Sequence, residues 1–273
     1  MAASADGLRR VIDGTSLRGT KIIIGLTLLV FAGQLAATLS RGLGLPLLSG
    51  GNPADSLRFG ALLIAPGAQA FEPSRLLSAV FVHYGLVHIG LNLLALVQLS
   101  RAVEPAIGTS RYLIAYVTTG IVGFATTTAY VLITGSPPMM FTAGASGAIF
   151  GVMGLILGWM IRRRDPRWRT FAVEAVFFSV LLGFGLNATG SGVVVNNSAH
   201  LGGLVCGVLF GVFYASPRAR RSDLWVNVGA AVALAACVAS LVLAQRSPVT
   251  RRALEESAST MLLSRDGRPE RPA

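Results

Sequence analysis

Seven apolar stretches of near bilayer-spanning length, residues 22–39, 77–99, 112–134, 143–161, 171–187, 198–215 and 225–244, constrain this chain more than any other feature. A hydrocarbon core takes about 20 residues of helix to cross. The pattern predicts an all-α, polytopic membrane protein with seven spans. Composition agrees, since 53% of residues are hydrophobic, 13% are charged and mean hydropathy is +0.65. Such values lie outside the soluble range. The polar, basic segment 1–21 precedes the first run, which is longer than a signal-peptide core and is read as an uncleaved span.

The net charge of +11 is carried by arginines with a single lysine, Lys21, and the arginines cluster between the apolar runs. That placement argues for membrane topology and against nucleic-acid binding. Arg9, Arg10, Arg18 and Lys21 precede span one, Arg101 and Arg111 flank the second loop, Arg162 to Arg164 with Arg167 and Arg169 follow span four, and Arg218, Arg220 and Arg221 follow span six. Alternating spans put all of them on one side, which the positive-inside rule makes cytoplasmic, with the N-terminus there too. Residues 40–76 form a long first loop rich in Gly, Pro and Leu, expected to be partly membrane-embedded, and 245–273 is expected to be a disordered tail. Cys206 and Cys237 stand in separate apolar runs and read as packing residues. No internal repeat or separate soluble domain is evident.

Chemistry is confined to a few polar groups inside those runs. His88 and Asn92 in span two, Ser146 opening span four and His200 opening span six fall at one depth on parallel helices. Polar side chains in a membrane are costly and are functional by default. The competing reading is a set of interhelical hydrogen bonds worth about 0.6–2 kcal/mol each. Gly147, Gly151, Gly154 and Gly158 line one face of span four, and Gly203, Gly207 and Gly211 continue below His200 on span six. If those faces meet, Ser146 and His200 reach hydrogen-bonding distance as nucleophile and general base. His88 and Asn92, four residues apart, share a face and with the Ser146 N–H can donate to one oxyanion. No carboxylate lies in the outer half of any span, so a Ser-His dyad is expected, with Phe150 one turn below Ser146 placed to stack on the imidazole. His83 falls off the His88 face and is expected to be structural. A proton-coupled transporter is a weaker reading, because embedded carboxylates and broken helices are not evident.

The motif Gly144-Ala-Ser146-Gly147, Ala199-His200 followed by Gly203 and Gly207, the His83, His88, Asn92 series, Arg75 through His83, and Glu104 followed by Gly108-Thr-Ser-Arg111-Tyr112 together resemble the rhomboid family of intramembrane serine proteases over about Phe59 to Gly211. The resemblance implies a rhomboid-like six-helix core over 22–215 with an additional transmembrane helix at 225–244. It implies peptide-bond hydrolysis in or near transmembrane segments of protein substrates, with Ser146 as nucleophile, His200 as base, and His88, Asn92 and the Ser146 amide as the oxyanion site supported by Gly144. Span five and the loop after it would form the lateral gate. No cofactor or metal is implied, and the partners are transmembrane substrates and the bilayer, with oligomeric state left open. Two departures stand out: Ser74-Arg75 where the family often has Trp-Arg, and Phe150 where it often has Tyr. A non-proteolytic relative that binds client helices is the alternative, although such members typically lack the Ser or the His. The Ala, Gly and Arg bias suggests a bacterial plasma membrane, and the positive-inside orientation puts the site towards the outer face.

Overall fold

The computed structural model describes residues 17–42, 44–45, 52–65, 71–137, 139–177, 195–215 and 224–265. Among them the chain runs through α1 (Arg18–Ser40), α2 (Pro53–Arg58), β1 (Leu62–Ile64), α3 (Arg75–Ser78) with a 3-10 turn (Ala79–Phe81), α4 (Leu86–Ile107), α5 (Thr109–Thr134), β2 (Met140–Thr142), α6 (Ser146–Arg162), α7 (Asn197–Tyr214), α8 (Leu224–Arg246) and α9 (Pro248–Arg265). Five of these helices, α1, α4, α5, α7 and α8, are long and apolar enough to cross a membrane, and α6 is apolar but shorter at 17 residues. The fold is all-α and polytopic, and the protein is an integral membrane protein. Residues 168–177 are helical, whereas most of the span expected at 171–187, with the loop assigned to a lateral gate, lies outside the described residues.

Two expectations need correction. The second span begins at Leu86, not at 77, because Val82 is extended and Gly85 adopts φ −175°, ψ 173°, which breaks the helix between the 3-10 turn and α4. His83 therefore sits in a connecting loop. The tail, expected to be disordered from 245 on, instead continues α8 to Arg246 and carries α9 over Pro248–Arg265. The Ser247 hydroxyl accepts the Thr250 N–H at 3.0 Å with Pro248 in the first turn, so a capped start offsets the weak apolar content that had argued against order.

The core is a close-packed trio of α5, α6 and α7. A Cβ built on Gly203 would lie 2.0 Å from the Gly147 carbonyl oxygen, one on Gly207 1.9 Å from that of Gly151, and one on Gly154 2.1 Å from that of Leu204. Only glycine admits backbones this close, which is how helices associate where no hydrophobic force separates them from lipid. At the other end of the bundle, α1 has no side-chain cap of its own. Glu104 of α4 supplies one, accepting from Gly19 N at 2.7 Å, Thr20 N at 3.0 Å and Thr20 Oγ1 at 2.7 Å, while Thr109 Oγ1 donates to it at 2.8 Å. A buried carboxylate there meets both orphan N–H groups and the positive end of the helix dipole. The first loop folds back through α2, and β1 pairs antiparallel with β2, Leu62 opposite Thr142 and Ile64 opposite Met140. That pairing ties the loop to the segment leading into Ser146.

Candidate active site

Ser146 is the first residue of α6, so its own N–H and the next two precede the first intrahelical bond, Ile149 N to Ala145 O at 3.0 Å. Orphan donors at a helix N-terminus, together with the dipole, favour negative charge beside the Ser146 hydroxyl. The turn into the helix depends on Gly144, whose φ of +132° disfavours any side chain. Its N–H donates to Ala79 O at 2.9 Å. A Cβ built there would stand 2.9 Å from His88 Cε1, 3.0 Å from His88 Nε2 and 3.9 Å from Ser146 Oγ. The imidazole of His88 and the hydroxyl of Ser146 thus flank one small gap.

His200 comes from the first turn of α7, and its Nε2 lies 2.8 Å from Ser146 Oγ. The Phe150 ring stacks on the imidazole, with centroids 4.2 Å apart and planes 14° from parallel. His200 is buried, and its Nδ1 has no hydrogen-bond partner among the described residues. Ring orientation is consequently set by the stack and by how α7 enters the bundle. The entry is fixed by Asn196, whose Oδ1 caps Ala199 N at 3.0 Å and accepts from Thr127 Oγ1 at 2.9 Å, while its Nδ2 donates to Thr142 Oγ1 at 2.9 Å. One side chain therefore joins α7, α5 and β2 beside the site.

Asn92 sits one turn below His88 and donates from Nδ2 to the His88 carbonyl at 2.9 Å, leaving a second N–H on the same atom. His83, in the loop before α4, is buried, donates from Nδ1 to Phe81 O at 3.2 Å and faces Ala145 N with Nε2 at 3.5 Å. Its backbone is held by Gln34 of α1, which donates to His83 O at 3.1 Å and accepts from His83 N at 3.2 Å. Tyr84 stacks on His88 at 5.5 Å. The structure thus gathers Ser146, His200, Phe150, Gly144 and His88, with Gly147, Gly151, Gly203 and Gly207 in the helix contact beneath them and Asn92 at its edge. Sequence reading missed Asn196 and Gln34. Each carried a signal: Asn196 is an N-cap residue ahead of an apolar run, and Gln34 is a lone amide inside one. Among the described residues, no three His, Cys, Asp or Glu side chains gather as metal ligands.

Comparison with known proteins places this geometry in context. Residues 70–217 match the profile of the Rhomboid domain. The chain is 34% identical over 158 residues to the rhomboid protease GluP of Bacillus subtilis, covering 58% of this chain and 28% of that protein. It is 31% identical to rhomboid-like protease 5 of Toxoplasma gondii, with 58% and 18% covered. Against the putative rhomboid protease YdcA of Bacillus subtilis it is 30% identical, with 54% and 70% covered. The match thus spans under a third of the first two relatives and most of the third.

Proposed function

The chain belongs to the rhomboid family, and from that membership we propose that it is a serine endopeptidase hydrolysing peptide bonds in or near the transmembrane segments of other membrane proteins. The observation that carries the reading is the 2.8 Å approach of His200 Nε2 to Ser146 Oγ at the start of α6. In the proposed cycle, Ser146 Oγ attacks the scissile carbonyl carbon as His200 Nε2 takes its proton. The resulting oxyanion is met by the Ser146 N–H, the His88 imidazole and the remaining Asn92 amide proton. Collapse breaks the C–N bond, and the departing amine takes the proton from His200. Water, deprotonated by the same Nε2, then attacks the Ser146 ester; the bond from its carbonyl carbon to Ser146 Oγ breaks, Oγ takes the proton back from Nε2, and the carboxylate product leaves. Phe150, rather than a carboxylate, keeps the imidazole in line, so the machinery is a dyad. The positive-inside distribution of arginine supports a site open to the outer face, and the Ala, Gly and Arg bias supports a bacterial plasma membrane.

The test is cleavage of a single-span reporter co-reconstituted with the full chain. Wild type is expected to cut it, and Ser146→Ala to insert and fold normally without cutting. Turnover by Ser146→Ala would refute the assignment. Capture of the reporter by folded wild type without cleavage would instead support a helix-binding member of the family.

A further inference from the structure

Arg75 is fully buried, which for a guanidinium is tolerable only when its donors are met. All five protons have acceptors. Nε donates to Glu72, Nη1 to Leu57 O at 2.7 Å and Ala61 O at 2.9 Å, and Nη2 to Ser247 Oγ and Thr250 Oγ1, both at 2.7 Å. The last two acceptors come from the α8–α9 joint, far away in sequence. Both hydroxyls are buried, and Thr250 passes its own proton to Ala244 O at 2.6 Å. Further along α9, Ser257 Oγ accepts from Arg41 Nη1 at 3.2 Å and Asn52 Nδ2 at 3.0 Å, while Arg41 Nη2 stands 2.9 Å from Asp55 Oδ1. The C-terminal helix is therefore fastened across the first loop at two points.

The fastening leads towards Ser146. Ala61 adjoins β1, β1 is paired with β2, and β2 ends at Thr142, just before the Gly144 turn. Thr142 in turn holds the Asn196 cap of the helix bearing His200. We infer that Ser247 and Thr250 are positioning residues for the reaction: through Arg75 they hold the first loop so that β1–β2 sets the Gly144–Ser146 turn against His200. This rests on the proteolytic reading for its kinetic consequence. The route from tail to strand pair stands on the hydrogen bonds alone.

The experiment compares wild type, Ser247→Ala/Thr250→Val and Thr250→Ser, all in the full chain. Amide hydrogen exchange is followed across Leu62–Ile64 and Met140–Thr142, and kcat and KM for the reporter are taken per fluorophosphonate-titrated serine. The double variant is expected to exchange these amides at least about tenfold faster and to lose about tenfold in kcat with KM within about twofold, a tenfold change corresponding to about 1.4 kcal/mol. Thr250→Ser, which keeps the hydroxyl, should stay within about twofold of wild type in both. Unchanged exchange overturns the inference. Faster exchange with unchanged kcat per titrated site also overturns it, leaving a scaffold role only. A wild type that neither labels nor cleaves sinks the proteolytic reading and with it the kinetic half of the inference, while exchange still decides the tail-to-strand route. If the double variant fails to fold, Thr250→Val alone removes one acceptor and is judged by the same criteria.

Discussion

Substituting Gly203 by alanine tests the packing on which the site depends. A Cβ there would stand 2.0 Å from the Gly147 carbonyl oxygen and 2.9 Å from its carbon, both backbone atoms with no rotamer to yield. Relieving that overlap requires α6 and α7 to part by about 1 Å or more, since non-bonded heavy atoms settle at about 3.5 Å. Overpacking of this kind costs about 1–3 kcal/mol, which for a chain of this size lowers Tm by about 2–12 °C. Gly203 lies one turn below His200, and a 2.8 Å contact stretched by that amount is no longer a hydrogen bond. Loss of the general base contact is then expected to reduce turnover by about 10²–10⁴. Gly147→Ala is the control, because a Cβ there meets its nearest neighbour, Ala199 O, at an ordinary 3.5 Å. Its Tm should lie within about 2 °C of wild type. Thermal melts in mild detergent and reporter cleavage read both quantities. A Gly203→Ala protein with wild-type Tm and wild-type turnover would refute the claim that backbone contact between α6 and α7 sets the dyad.

Gly144→Ala adds a side chain at φ +132° and 2.9 Å from His88, so fluorophosphonate labelling of Ser146 should fall by about a hundredfold while far-UV circular dichroism stays unchanged. Phe150→Leu removes the ring stacked at 4.2 Å on His200 and is expected to slow labelling by about tenfold, whereas Phe150→Tyr, which keeps the ring, should stay within about twofold. Glu104→Gln leaves only one acceptor for the donors now shared by two carboxylate oxygens at the start of α1, so unfolding should become easier by about 1–3 kcal/mol without a change in kcat of the folded fraction. Denaturation with a titrated readout of labelled serine separates the two effects.

How much of this could be read from the residues depended on the kind of signal. Ser146, His88 and His200 were conspicuous because a hydroxyl or imidazole inside an apolar helix needs a reason to be there, and the three- and four-residue recurrence of glycine named the faces that could meet. The start of α4 was harder, because residues 77–85 are apolar enough to pass as membrane helix, and only the extended conformations of Val82 and Gly85 end the turn. The tail was misjudged for the opposite reason. Its charge concealed the Ser247-Pro248 helix start, and the buried Arg75 that draws Ser247 and Thr250 inwards lies 172 and 175 residues earlier, beyond the reach of any local pattern. Asn196 carried only the local signal of an N-cap ahead of an apolar run, while its work in linking α5, α7 and β2 depends on tertiary neighbours.

The most direct measurement on the central claim is fluorophosphonate labelling of the purified full chain in mild detergent, with wild type beside Ser146→Ala and His200→Ala. An activated serine paired with its base predicts labelling of wild type at one site and its loss in both variants, each folded by thermal melt. Labelling that persists in Ser146→Ala, or that is undiminished in His200→Ala, would contradict the assignment of these two residues as nucleophile and base.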